Sequence, residues 1–171
     1  MLVTGFGPFP GAPENPTEAL IGALAASPGF SRDADMRFEV LPVEYQAVPG
    51  HLAGLSGFAP DIAIHFGLST RAGGFTLERV ARNEIRGEKP DNKGELRSGG
   101  QICGGAGDQP STLPLPAIYE ALSAKGLPVR YSDDAGGYLC NYLFYLSRSG
   151  TCPGALRRIC PASSTCRHLM S

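Results

Sequence analysis

The 171-residue sequence has no apolar run approaching the ~20 residues that a membrane-spanning helix needs, so no spanning helix is expected. It opens Met1-Leu2-Val3-Thr4-Gly5, with neither a basic segment nor a long apolar stretch. No signal peptide is therefore expected, and a cytoplasmic protein with reduced thiols is. A basic excess is also missing. Fifteen Lys and Arg stand against 16 Asp and Glu, a net charge of −1, which argues against nucleic acid as the main partner. Five cysteines are present (Cys103, Cys140, Cys152, Cys160 and Cys166), but no C-x-x-C occurs and the spacings fit no zinc pattern. Histidine is scarce, with only His51, His65 and His168. Acidic residues stop at Asp134.

What is present is a globular composition, 42% apolar and 18% charged, of a length suited to one domain. Such a domain buries roughly 70% of its unfolded surface. The 23 Gly and 15 Pro gather in turns rather than repeats, which predicts many loops rather than disorder. Residues 1–4 read as a short strand, and residues 17–26 as a helix capped by Thr17. Residues 36–43 alternate like a half-buried strand, and 48–55 suit a helix. Residues 61–67 form a compact apolar run ending in Gly, the pattern of a buried parallel strand. A strand at 75–81 precedes a long polar, glycine-rich stretch at 82–112. A helix at 113–124, a strand at 127–132 and a buried helix at 138–146 follow. This alternation predicts an α/β/α sandwich, a single domain with a mainly parallel central sheet. Sites in such sheets lie at the carboxyl ends of the strands, here after Thr4, Gly67 and Ser132.

Cys140 is the first candidate for chemistry, because it follows a strand and sits near the start of an apolar helix. The helix dipole and free N–H groups there favour a thiolate and can stabilise an oxyanion. The structural alternative is a small buried apolar residue. Glu78, flanked by apolar residues, can orient a catalytic base. Its alternative is a salt bridge to Arg79 or Arg82, or a solvated face. Among the histidines, His51 reads as a surface residue and His65 as a core residue, while His168 falls in a segment with no assignable element. The loop Thr4-Gly5-Phe6-Gly7-Pro8-Phe9-Pro10-Gly11, with Asn15-Pro16, lacks the spacing of a P-loop or a dinucleotide fingerprint. Its two Phe side chains can line a small apolar pocket or cover the sheet edge.

Three blocks in order resemble the pyroglutamyl peptidase I (pyrrolidone-carboxylate peptidase) family. They are Leu2-Val3-Thr4-Gly5-Phe6-Gly7-Pro8-Phe9 with Asn15-Pro16, Thr76-Leu77-Glu78-Arg79-Val80-Ala81-Arg82-Asn83 with Pro90-Asp91-Asn92, and Gly136-Gly137-Tyr138-Leu139-Cys140-Asn141. The resemblance spans residues 1–148. It implies a cytosolic cysteine peptidase of α/β/α fold that needs no metal or other cofactor. Its partners would be small peptides with an N-terminal pyroglutamate. It further implies Cys140 as nucleophile and Glu78 as the acid of a triad. Phe6 and Phe9 would hold the pyrrolidone ring, with Asn15 as a polar neighbour. The reaction would run through a thioester acyl-enzyme.

The sequence departs from that pattern in two places. Gly87-Glu88-Lys89 replaces an Arg-containing form. The family's His, in a strand pattern like Phe-Ile-His-Val-Pro, has no counterpart in Pro161-Ala162-Ser163-Ser164-Thr165-Cys166, and His168 lies just beyond. Residues 149–171 therefore read as a diverged basic, Cys-containing tail without periodicity, or one encoded out of frame. Two alternatives stay open beside the peptidase. One is an inactive remnant that binds pyroglutamyl peptides, and the other a plain α/β interaction domain with inert cysteines. The 82–112 stretch would cover the pocket or build a homo-oligomer interface.

Overall fold

The computed structural model describes residues 1–156 apart from 28, 30–33, 56, 70–71, 88, 98 and 151, together with the backbone of 167–170. Its spine is a four-stranded parallel sheet in the order β2-β1-β3-β8, from β1 (Leu2–Phe6), β2 (Arg37–Leu41), β3 (Ile62–His65) and β8 (Arg167–Met170). Two smaller pairs accompany it. A parallel pair joins β4 (Phe75–Glu78) to β7 (Val129–Ser132), and an antiparallel one joins β5 (Val80–Ala81) to β6 (Gln109–Pro110). The helices are α1 (Pro16–Ala26), α2 (Ala47–Gly54), α3 (Leu115–Ser123) and α4 (Leu139–Ser149). This is the α/β architecture with a parallel sheet that the sequence pattern predicts.

All five residues of β1 are buried, as expected of a central parallel strand covered on both faces. Its alternation decides what each face meets. Leu2 and Phe6 join the main core with α2 and α4 residues such as Leu52, Leu143 and Phe144. Gly5 points the other way, against α1, where a Cβ would stand 2.7 Å from the Thr17 carbonyl oxygen. Glycine is needed there for close backbone approach. The α1 N-cap is Asn15 rather than Thr17. Asn15 accepts from the Thr17 N–H at 3.1 Å, and the Thr17 hydroxyl donates to the Phe6 carbonyl at 3.1 Å. A proline at the first helical position explains the shift by two residues, since its fixed φ suits N1.

Helix α4 is buried along eight of its eleven residues and ends at Gly150 in the left-handed conformation, φ 62°. Two of those buried residues, Asn141 and Ser147, are polar. Asn141 accepts the Arg82 N–H at 2.9 Å and donates to the carbonyls of Arg82 and Glu84 at 2.8 and 3.0 Å. This fixes the start of the 82–112 stretch to the helix. The stretch is held further by Asp91, whose carboxylate accepts the N–H groups of Tyr45, Lys93 and Glu95. Asn92 donates to the Pro8 carbonyl at 2.9 Å.

Beyond Ser149, Cys152, Ala155 and Leu156 are buried in the main core, and the backbone of Arg167–Met170 pairs with β3. One expectation changes here. The thiols are not all reduced, because Cys103 and Cys152 form a disulfide across 49 residues, while Cys140 is free. Cys160 and Cys166 lie outside the described residues. No helix among the described residues is long and apolar enough to cross a membrane.

Candidate active site

A cleft of about 990 Å³ opens at the carboxyl ends of β1, β3 and β4 and at the amino end of α4. That is where an open parallel sheet places its ligands. Phe9 comes from the loop after β1, Phe66 and Gly67 from the turn after β3, and Glu78 from the last position of β4. Lys89 comes from the 82–112 stretch and Cys140 from the first turn of α4.

Cys140 is half-buried and packs against Gly67, where a Cβ would lie 2.7 Å from its Sγ. The N-cap of α4 is Tyr138, whose side chain makes no capping bond, so no side chain there competes for the first-turn N–H groups. The dipole alone would lower the thiol pKa. Burial outweighs it and pushes Cys140 up to about 11, the Lys89 ammonium pulling down and the Glu78 carboxylate pushing up. The expectation of a thiol depressed by helix and N–H groups is therefore reversed by burial.

Glu78 does not pair with either nearby arginine. Arg79 binds Asp133 through two hydrogen bonds, and Arg82 Nε donates to the Asp133 carbonyl at 3.0 Å. Burial raises the Glu78 pKa against a hydrogen bond from Ser132, and Oε2 is buried with no hydrogen-bond partner. An unmet acceptor in a cleft is poised to take an N–H from a ring or a ligand.

Of the other expected site residues, Phe9 lines the cleft but Phe6 and Asn15 do not. Phe6 faces the main core because it shares the Leu2 face of β1. Asn15 uses its amide to cap α1 and to donate to the Gly7 carbonyl at 2.9 Å, which holds the loop bearing Phe9. His51 is exposed on α2. His65 is wholly buried, with Nδ1 2.7 Å from the Thr4 hydroxyl, and burial lowers its pKa to about 3. His168, expected in no element, stands in β8 at the register position of Ala63.

Lys89, Arg86 and Asn141 also belong to the cleft or its support, though the sequence does not mark them as candidates for chemistry. Arg86 lines the cleft, is held by Glu84 and Asp134, and lies against Gly137, where a Cβ would meet its side chain. Asn141 did carry a signal, being the one amide in an apolar helix that had to find buried partners.

Residues 1–152 match the family model described as pyroglutamyl peptidase. The pyrrolidone-carboxylate peptidase of Pyrococcus furiosus is 41% identical over 150 residues, covering 86% of this chain and 71% of that protein. The protein of the same name from Clavibacter michiganensis is 35% identical over 148 residues, covering 85% and 68%. Among solved structures, a mutant pyrrolidone carboxyl peptidase from P. furiosus superposes with a TM-score of 0.82 at 36% identity, covering 99% of this chain and 78% of its own. The pyrrolidone carboxyl peptidase of Fervidobacterium islandicum AW-1 gives 0.85 at 29% identity, covering 99% and 77%.

Proposed function

The chain belongs to the pyroglutamyl peptidase family and is an enzyme of the pyroglutamyl-peptidase I type, and from that premise we propose that Cys140 cleaves N-terminal pyroglutamate from small peptides. The observation that carries this reading is the placement of Cys140, the free cysteine of the described residues, in the first turn of α4 and in one cleft with Glu78.

In the proposed reaction the Cys140 thiolate attacks the pyroglutamyl carbonyl carbon. A C–S bond forms, and the negative charge moves to oxygen. First-turn N–H groups of α4 are suited to receive that charge. Collapse breaks the C–N bond, the leaving amine takes a proton from the base, and a thioester remains. Water then adds, the C–S bond breaks, and pyroglutamate leaves with the thiol restored. Phe9 supplies an apolar wall for the pyrrolidone ring. Phe6 and Asn15 support that wall from behind by fixing the loop that carries it. The base is assigned to His168, because β8 runs beside β3, whose continuation Phe66-Gly67 lines the cleft. Glu78, with its unmet oxygen, orients that base.

The test is hydrolysis of a chromogenic pyroglutamyl amide by the chain, by Cys140→Ser and by His168→Ala. Turnover that vanishes in Cys140→Ser and falls by a factor of about 10³ or more in His168→Ala supports the reading. A second reading is a binding protein without turnover. It is favoured by the thiol pushed up to about 11 and by the absence, among the described residues, of a histidine lining the cleft. Calorimetric binding of a pyroglutamyl peptide by a folded chain without hydrolysis would select it.

A further inference from the structure

Lys89 occupies a position that neither the fold nor the proposed catalytic roles require. It lies in the Gly87-Glu88-Lys89 segment where the sequence departs from its family pattern. The ammonium Nζ stands 4.4 Å from the centroid of the Phe9 ring and 4.5 Å from that of Tyr138. Two aromatic faces thus clamp one cation. Each ring face attracts it electrostatically, more strongly where water is excluded. The clamp itself is anchored. Tyr138 donates its hydroxyl to the Pro90 carbonyl at 3.0 Å, next along the chain from Lys89, and Asn92 ties the same turn to the loop before Phe9.

Rings neutralise no charge, so a clamped ammonium still seeks an anion. Among the described residues Lys89 forms no ion pair with a carboxylate, whereas Arg86 in the same cleft is held by Glu84 and Asp134. Lys89, Phe9, Tyr138 and Cys140 all line the cleft, and Tyr138 is the N-cap residue of the helix whose first turn carries Cys140. Besides Asp134, which Arg86 holds, two groups of that lining can carry negative charge, the Glu78 carboxylate and the Cys140 thiolate, and of these Cys140 follows the clamp's own Tyr138 by two residues at the start of α4.

We propose that Lys89 is a positioning residue, its ammonium fixed between Phe9 and Tyr138 as the counter-charge of the Cys140 thiolate. The inference rests on the reading of Cys140 as nucleophile. The electrostatics agree in sign, since Lys89 is the side-chain cation that opposes burial at this thiol. A neutral side chain at 89 leaves burial and Glu78 unopposed by it.

The test is alkylation, which needs no turnover and so fails independently of the peptidase reading. The second-order rate with iodoacetamide is followed against pH for the chain, Lys89→Arg, Lys89→Gln and Lys89→Glu. Peptide mass spectrometry assigns the modification to Cys140, and near-UV circular dichroism reports the fold. The expected result is an apparent thiol pKa that rises in the order Arg, Gln, Glu. At neutral pH, Lys89→Gln would react about tenfold more slowly, the equivalent of one pKa unit. Lys89→Arg would stay close to the parent. The rate with iodoacetate relative to iodoacetamide should fall in the same order, because a local cation attracts the anionic reagent. In the unsubstituted chain that ratio should drop with added salt. Natively folded Gln and Glu variants that titrate like the parent would overturn the proposal. So would a parent ratio indifferent to salt, should those variants not fold.

Discussion

Gly67 and Cys140 touch across the floor of the cleft so closely that a Cβ on residue 67 would stand 2.7 Å from Sγ. The far end of the thiol side chain must move to admit even a methyl. Gly67→Ala is therefore expected to leave the fold standing, with the melting temperature lowered by a few degrees at most, and to displace the nucleophile. A misplacement of about 1 Å can cost 10²-fold in turnover. Steady-state hydrolysis of a pyroglutamyl amide beside a thermal melt checks both halves. Full activity in the variant would refute the tight contact.

Glu78 gives the opposite pairing of stability and activity. Its pKa is raised by burial, so the folded state disfavours its charge, and stability at this group declines as pH rises above the usual carboxylate range. Glu78→Gln removes that penalty. The variant should melt no lower than the parent at pH 7.5 while losing most of its turnover. A large drop in melting temperature would show that the carboxylate holds the fold.

His65 makes stability depend on pH. Buried neutral beside Thr4, it has a pKa of about 3 in the fold against about 6.5 in the unfolded chain. Between those values the unfolded state binds the extra proton. The stabilisation is complete above pH 6.5 and is lost as pH falls toward 3. From pH 7 to pH 5 the unfolding free energy should fall by about 2 kcal/mol from this residue. Urea titrations at both pH values measure it, and His65→Gln should flatten the difference.

Asn141 is the polar pin of α4. Asn141→Ala leaves the half-buried carbonyls of Arg82 and Glu84 and the Arg82 N–H without this partner. Unsatisfied buried groups cost roughly 1–3 kcal/mol each. Partial rehydration tempers the sum, so a loss of about 3 kcal/mol is expected. That corresponds to roughly 6–12 °C in melting temperature for a chain of this size. Asn141→Asp should fare no better, because a carboxylate cannot donate to either carbonyl.

The Cys103–Cys152 disulfide closes a loop of 49 residues between the glycine-rich stretch and the segment after α4. Reducing it should cost about 2–4 kcal/mol. Melts with and without dithiothreitol measure that loss, and Cys103→Ser should reproduce it without reductant. Identical melts would mean that the two thiols only lie close together.

Much of this molecule is legible before any coordinates. The compact run ending at Gly67 is a buried parallel strand because only such a strand can be apolar on both faces. The helix bearing Cys140 declares itself by its apolar length. The cleft follows from where the strands end. What escaped depends on direction and distance. Strand alternation shared by Leu2, Thr4 and Phe6 sends Phe6 to the core, so of the two Phe residues only Phe9 reaches the cleft. No periodicity marks Arg167–Met170, because a four-residue strand takes its identity from its partner β3 rather than from its own pattern. A helix N-terminus favours a thiolate, but the burial that raises Cys140 instead depends on packing that no local sequence pattern carries.

The pairing of β8 with β3 joins residues 167–170 to residues 62–65, with nearly the whole intervening chain as the loop. Contacts of that sequence separation form late, since closing the loop precedes any reward from the ladder. On the ribosome β3 is made early and its outer edge stays open until the strand near the far end emerges. An unpaired parallel edge is a template for another chain. The price of this topology is kinetic: conditions that slow synthesis or shorten the chain before residue 167 would expose β3 to a neighbouring nascent copy. Soluble yield should then follow the presence of residues 167–170, whose backbone closes that edge.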